Sequence, residues 1–203
     1  VTVSNVETIT GGTSADSIVL GTQLTGATID LGDGTDTLTL GAFLNTVTVT
    51  AVETLTGGST NDTVVLGGQA TGSVIDLGAG LDKLTLANAV NTVTVSNVET
   101  ITGGTTNDLV TFGGAVTGAT VDLGAGNDVL VFAAAGGTVT ATNVETVTGS
   151  IATDLLTLGS QATGVIVDLG AGTDRLVLGN YVNTVTVSNV ETVTGGVSSD
   201  TVT

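Results

Sequence analysis

The chain repeats itself with a period of 46, without insertion or deletion. Asn-Val-Glu-Thr begins at residues 5, 97, 143 and 189, and Ala-Val-Glu-Thr begins at 51. A gapless period of this length confines the fold to stacked units. Each unit is one supersecondary element that buries its apolar face only against its neighbours. Residues 1–203 therefore read as a single repeat solenoid, with units at 5–50, 51–96, 97–142, 143–188 and a partial unit at 189–203. Val1 is in phase with Val47 and Val93, so the chain is expected to be a segment of a longer array.

Each unit divides again. Thr8-Ile-Thr-Gly-Gly-Thr-Ser-Ala-Asp16 aligns on Thr28-Ile-Asp-Leu-Gly-Asp-Gly-Thr-Asp36, and the aspartate closing this frame recurs along the chain at alternating short and long steps. The simplest reading is a short coil and a long coil per unit, with all the aspartates on one edge and a bend near Ala51 and Val52 absorbing the extra residues. After each Asp comes alternating apolar sequence, as in Ser17-Ile-Val-Leu20 and Asp128-Val-Leu-Val-Phe132, the signature of strands with one buried face. Leu20, Leu40, Leu66, Leu86, Phe112, Phe132, Leu158 and Leu178 make an uninterrupted apolar column, as do Ile18, Leu38, Val64, Leu84, Val110, Leu130, Leu156 and Leu176. The expected fold is all-β: a parallel β-roll or β-solenoid of about nine coils, roughly 40 Å long at ~4.8 Å per strand. Positions one such step apart, as Leu20, Leu40 and Leu66 are, are expected to pair.

Composition supports a thin core and removes several functions. Aromatic residues make up 2% of the chain, and Pro, Cys, Met, His and Trp are absent. Without Cys or His there is no thiolate, disulfide or imidazole chemistry. Net charge is −17, with only Lys83 and Arg175 as cations. Nucleic acid and anionic membrane would be repelled, whereas cations are natural partners. No apolar run is long enough for membrane insertion.

The four glycine-rich nonapeptides, such as Leu123-Gly-Ala-Gly-Asn-Asp-Val-Leu-Val131 and its equivalents around Asp36, Asp82 and Asp174, resemble the RTX (haemolysin-type) calcium-binding repeats. The lead-in Asn-Val-Glu-Thr-Ile-Thr-Gly-Gly resembles that of bacterial surface members of the family. A looser form, with Ser14, Thr60, Thr106, Ala152 or Ser198 in place of the second glycine, ends in Asp16, Asp62, Asp108, Asp154 and Asp200. The resemblance implies Ca²⁺ held between coils by turn carbonyls and motif carboxylates. By position these are Asp16, Asp36, Asp62, Asp82, Asp108, Asp128, Asp154, Asp174 and Asp200, with Gly32, Gly34, Gly78, Gly80, Gly124, Gly126, Gly170 and Gly172. It also implies secretion to a bacterial cell surface and folding on export. The residues alone leave a second reading open, in which each Asp caps its own turn. Glu7, Glu53, Glu99, Glu145 and Glu191 recur at the bend, where they are expected to fix the corner by hydrogen bonds or stay solvated.

No catalytic constellation is present. Lys83 and Arg175 each follow a motif Asp, but they are isolated exceptions in an otherwise regular repeat, and no base accompanies a nucleophile. A calcium-dependent polysaccharide-acting enzyme is a minor alternative, and the chain is expected not to be an enzyme. The leading expectation is a calcium-stiffened structural module of a secreted surface protein: an adhesin stalk, fibre or surface-layer element that associates with itself or with neighbouring repeats. The alternative is ligand binding, of ice or glycan, by a flat Thr-rich face, drawn from the column Thr8, Thr28, Thr54, Val74, Thr100, Thr120, Thr146, Ile166 and Thr192.

Overall fold

A computed structural model describes all 203 residues. It contains strands and turns and no helix. The first five strands are β1 (Thr2–Val3), β2 (Thr8–Gly12), β3 (Ser17–Leu20), β4 (Thr25–Gly32) and β5 (Thr37–Thr39). The next five repeat them: β6 (Thr46–Thr50), β7 (Thr54–Gly58), β8 (Thr63–Leu66), β9 (Thr71–Gly78) and β10 (Lys83–Thr85). The pattern continues to the last strand, Thr201–Val202. Odd-numbered strands form one parallel sheet of 12 and even-numbered strands another of 11. Two strands, one in each sheet, make a coil, and the chain is a parallel β-solenoid.

The unit holds five strands, an odd number, so each repeat begins in the opposite sheet from the last. The expected long coil is therefore a coil and a half. Between Asp36 and Asp62 lie three strands, β5, β6 and β7, whereas β8 and β9 alone fill the short step to Asp82. What reads as a bend at Ala51 and Val52 is a full edge turn. Ala51 has φ of 52°, and Asn5, Asn97, Asn143 and Asn189 at its equivalents have φ of 52–55°. That left-handed residue turns the chain out of one sheet and into the other. The short-step pairing is found, as where Thr54 faces Val74, but the long-step pairing is not: Thr37 faces Thr54 across a still shorter interval. Twelve strands at ~4.8 Å give a sheet about 53 Å long.

Burial follows the alternation of apolar and polar residues. Forty-three buried apolar residues form one continuous core between the sheets. Both expected inner columns point inward, but each is divided between the two sheets. Leu20 and Leu40 line the first sheet and Leu66 and Leu86 the second, and so on in pairs. Phe112 and Phe132 are neighbours, with ring centroids 6.1 Å apart. The expected Thr column divides in the same way: Thr8 and Thr28 lie on one face, Thr54 and Val74 on the other. The long strands carry a register shift at Gly26, Gly72, Gly118 and Gly164, whose φ of 72–74° or 76° needs glycine.

Candidate functional site

The odd strand count places the motif aspartates on both edges. Asp16, Asp36, Asp108, Asp128 and Asp200 lie where the chain passes from the even to the odd sheet. Asp62, Asp82, Asp154 and Asp174 lie at the opposite edge. The single row of nine expected from the spacing is instead a set of stacked pairs on alternating edges. Seven of these aspartates, from Asp36 to Asp174, are buried, and the terminal Asp16 and Asp200 are partly so.

Each buried carboxylate accepts hydrogen bonds from the backbone of the preceding coil. On one edge the Leu24 N–H donates to Asn45 Oδ1 (3.0 Å), the Asn45 N–H to Asp62 Oδ1 (2.9 Å), the Asp62 N–H to Asp82 Oδ1 (2.6 Å) and the Asp82 N–H to Glu99 Oε2 (2.7 Å). The other edge repeats the sequence from the Ala70 N–H through Asn91, Asp108 and Asp128 to Glu145, at 3.0, 3.0, 2.7 and 2.8 Å. The result is a four-rung ladder, Asn–Asp–Asp–Glu, in which a side chain supplies the acceptor that turn backbone lacks. Buried N–H groups need partners, and this ladder provides them. Asn91 is saturated: its Nδ2 also donates to Asp108 Oδ1 (2.8 Å) and to the carbonyls of Ala87 (2.9 Å) and Ala89 (2.6 Å). In the unit where Gly137 replaces the Asn, its N–H still donates to Asp154 Oδ1 at 2.8 Å.

The two kinds of Asp turn use their second oxygen differently. Where the second glycine is missing, Asp16, Asp62, Asp154 and Asp200 close the turn by accepting the N–H of Gly12, Gly58, Ser150 and Gly196 on Oδ2. In the Gly-x-Gly-x-Asp turns, Oδ2 of Asp36, Asp82, Asp128 and Asp174 is buried with no partner, as is that of Asp108. Burial accordingly pushes Asp82 and Asp128 up to about 6, opposed by the N–H each accepts and reinforced by the stacked acids on either side. Asp174 is raised for the same reasons. Asp168 and Asp200 are held below the usual range, chiefly by the amides of Asn189 and Asn183.

The donor set of the paired turns does not fit a calcium ion between coils. Ca²⁺ takes six to eight oxygens. Here the carbonyls of Gly12, Gly58, Gly104 and Ser150 already accept N–H bonds of 2.9–3.0 Å from Asp33, Ala79, Ala125 and Ala171 of the next turn. Oδ1 of each stacked Asp faces an N–H, and no three acidic side chains converge on a common point. Gly32, Gly78, Gly124 and Gly170 serve contact instead: a Cβ on Gly124 would stand 2.1 Å from the Gly104 carbonyl oxygen. Gly34, Gly80, Gly126 and Gly172 bring the chain over the carboxylate of the same turn, where a Cβ would meet Oδ1 of Asp36, Asp82, Asp128 or Asp174 at 2.7–2.9 Å.

The chain matches no family model, no curated protein and no solved structure. Two features of the ladder escape a reading of the motif alone. One is the asparagine at 45, 91 and 183, which opens each Asn-Thr-Val-Thr-Val strand and donates its N–H to an Asp of the following coil. The other is the partner of the corner glutamates, whose hydrogen bonds were expected: Glu53, Glu99, Glu145 and Glu191 each accept the N–H of a motif Asp in the coil before. The ladder stops at these glutamates. Between each corner and the next turn lies an open notch, at Glu7 and Gln23, Glu53 and Gln69, Glu99 and Ala115, and Glu145 and Gln161, with volumes of about 130 to 250 Å³.

Proposed function

We propose that this chain is a structural rod, a stiff repeat module of a secreted bacterial surface protein. The observation that carries this reading is the recurrence of one hydrogen-bonded edge, unit after unit, along one unbroken core. A catalytic site would need clustered departures from the repeat. The departures present, Lys83, Arg175, Gly137 and Ala51, stand apart from one another. Rigidity follows from the ladder, because bending the rod would stretch buried hydrogen bonds on one edge or compress them on the other. Secretion and surface location rest on the RTX resemblance and on the acidic, cysteine-free composition. No helix is long and apolar enough to cross a membrane.

Small-angle scattering of a dilute solution tests the rod. The expected result is a long axis of about 53 Å and a narrow, constant cross-section. A compact, isometric particle would exclude it. The rival reading, ice or glycan binding, rests on outward Thr ranks such as Thr100, Thr120, Thr140 and Thr157 on the even-strand face. Lys83 and Val177 interrupt that rank, and thermal hysteresis measured at high concentration separates the two readings.

A further inference from the structure

The charges are distributed unevenly around the rod. All nine motif aspartates, the five corner glutamates and Asp33 lie at the edge turns. The broad sheet faces carry only six charged residues. The odd-strand face has Asp76 and Asp168; the even-strand face has Asp30, Asp122, Lys83 and Arg175. Edge-to-edge approach of two rods is therefore repelled more strongly than face-to-face approach.

The cations and the acids on opposite faces are in step. Asp76 lies on β9, the fifth strand of the odd sheet, and Lys83 on β10, the fifth of the even sheet. Asp168 and Arg175 occupy the tenth strands of the same two sheets. Each acid–cation pair belongs to one coil, and both members lie beside the edge turn that joins their strands. The two cations are five strands apart, and so are the two acids, about 24 Å at ~4.8 Å per strand. Asp76 and Asp168 are fixed by Asn97 and Asn189, whose amides donate to Oδ1 at 2.7 Å. Lys83 and Arg175 are exposed, and their neighbours in the face are Thr63 and Thr100, and Leu155 and Thr192. Two residues inward on each face, half-exposed Val74 and Ile166 match Thr85 and Val177.

We propose that the rod stacks on a second copy of itself, the even-strand face of one chain lying on the odd-strand face of the next. A sideways translation with no axial slip sets Lys83 opposite Asp76 and Arg175 opposite Asp168. No acid opposes an acid, since Asp30 and Asp122 lie toward the other edge. A face of eleven strands about 17 Å wide covers about 800 Å² per partner, within the range of specific interfaces. The contact is heterologous, with different surfaces on the two partners, so it propagates into open layers of parallel rods instead of closing as a dimer. This deepens the structural reading, on which it rests, by supplying the direction of assembly.

Sedimentation velocity of the whole chain over a concentration series, near physiological salt, tests it. The expected result is concentration-dependent growth, with scattering showing a cross-section that thickens while length stays constant. The variants Lys83→Thr/Arg175→Thr and Asp76→Asn/Asp168→Asn each keep one competent face. Each alone should associate at least about tenfold more weakly, with an unchanged β-sheet circular dichroism spectrum. Mixed, they should form dimers that grow no further. A wild-type chain that stays monomeric, growth in length, or association indifferent to both double variants would overturn the proposal. Scattering at infinite dilution reports rod shape independently, so failure of the rod and failure of the stacking are separable.

Discussion

The stacked Asp turns and the Asn-Val-Glu corners lie on the same edges, yet they solve the turn problem in different ways. In the Asp turns, glycine lets successive backbones touch, and buried carboxylates accept the N–H groups that the turn exposes. The corners carry a left-handed asparagine, and the ladder ends there in a half-buried glutamate beside an open notch. Side-chain truncation is expected to be costly in the first arrangement and cheap in the second. Order along the rod is thus concentrated in four-rung segments separated by looser joints, one joint per unit and on alternating edges.

The sharpest way to break this contrast is at Asn91. Replacing it with Ala strands the Ala70 N–H and the Ala89 carbonyl, takes one of two donors from the Ala87 carbonyl and removes a donor from Asp108. A loss of about 3–5 kcal/mol in chemical denaturation is expected. Gln69→Ala, in the neighbouring notch, removes one exposed bond to the Val90 carbonyl and should cost under about 0.5 kcal/mol. Equal losses would dissolve the distinction between ladder and joint.

Glycine provides a second test. Gly124 and Gly118 both have positive φ, 88° and 76°, but Gly118 faces open space while Gly124 touches Gly104. Gly118→Ala should cost about 1–2 kcal/mol from backbone strain alone. Gly124→Ala should cost about 3 kcal/mol or more, because two backbones must also separate. Both are read from the denaturation midpoint.

The sequence makes some of this legible and hides the rest for a definite reason. Strand positions, inward residues and glycine turns follow from alternation and from the repeat period. The edge of each Asp does not, because it depends on whether the corner at Ala51 is a bend within a strand or a passage between sheets. Asn at the equivalent positions was the available signal, since it tolerates left-handed backbone. Counting that corner as a turn gives five strands per unit and moves alternate Asp pairs to the opposite edge. The asparagines at 45, 91 and 183 were hidden more deeply. Their aspartate partners lie one coil further along the chain, an interval that emerges only once the sheets are assigned.

Acidity distinguishes the two regions more gently. The folded chain holds protons on Asp82 and Asp128 up to about pH 6, against an ordinary value of 3.8. A raised folded pKa means the native state binds more protons, so stability falls as pH rises through that window. The thermal midpoint should therefore increase on acidification from pH 7 toward 4. It should decrease at lower pH, where Asp168 and Asp200 lose bonds made as carboxylates. Asp82→Asn/Asp128→Asn should flatten the upper part of that profile.

The smallest effect concerns the joint at Ala51. Asn97, Asn143 and Asn189 each donate to an aspartate of the preceding coil, Asp76, Asp122 and Asp168, at 2.7 Å. Ala51 has the same backbone without that bond, and Asp30 stands at the matching position before it. Ala51→Asn should stabilise by about 1 kcal/mol through both backbone preference and the new hydrogen bond, read as a shift in denaturation midpoint.

The hydrogen-bond ladder predicts that the carboxylates of this rod are held in place without bound ions. Circular dichroism and amide hydrogen exchange of the chain in excess chelator, followed by a Ca²⁺ titration, test that claim most directly. The expected result is a full β-sheet spectrum in chelator, protected N–H groups at Asp62, Asp82, Asp108 and Asp128, and no stoichiometric calcium uptake. A disordered chain that folds only when Ca²⁺ is added would contradict it.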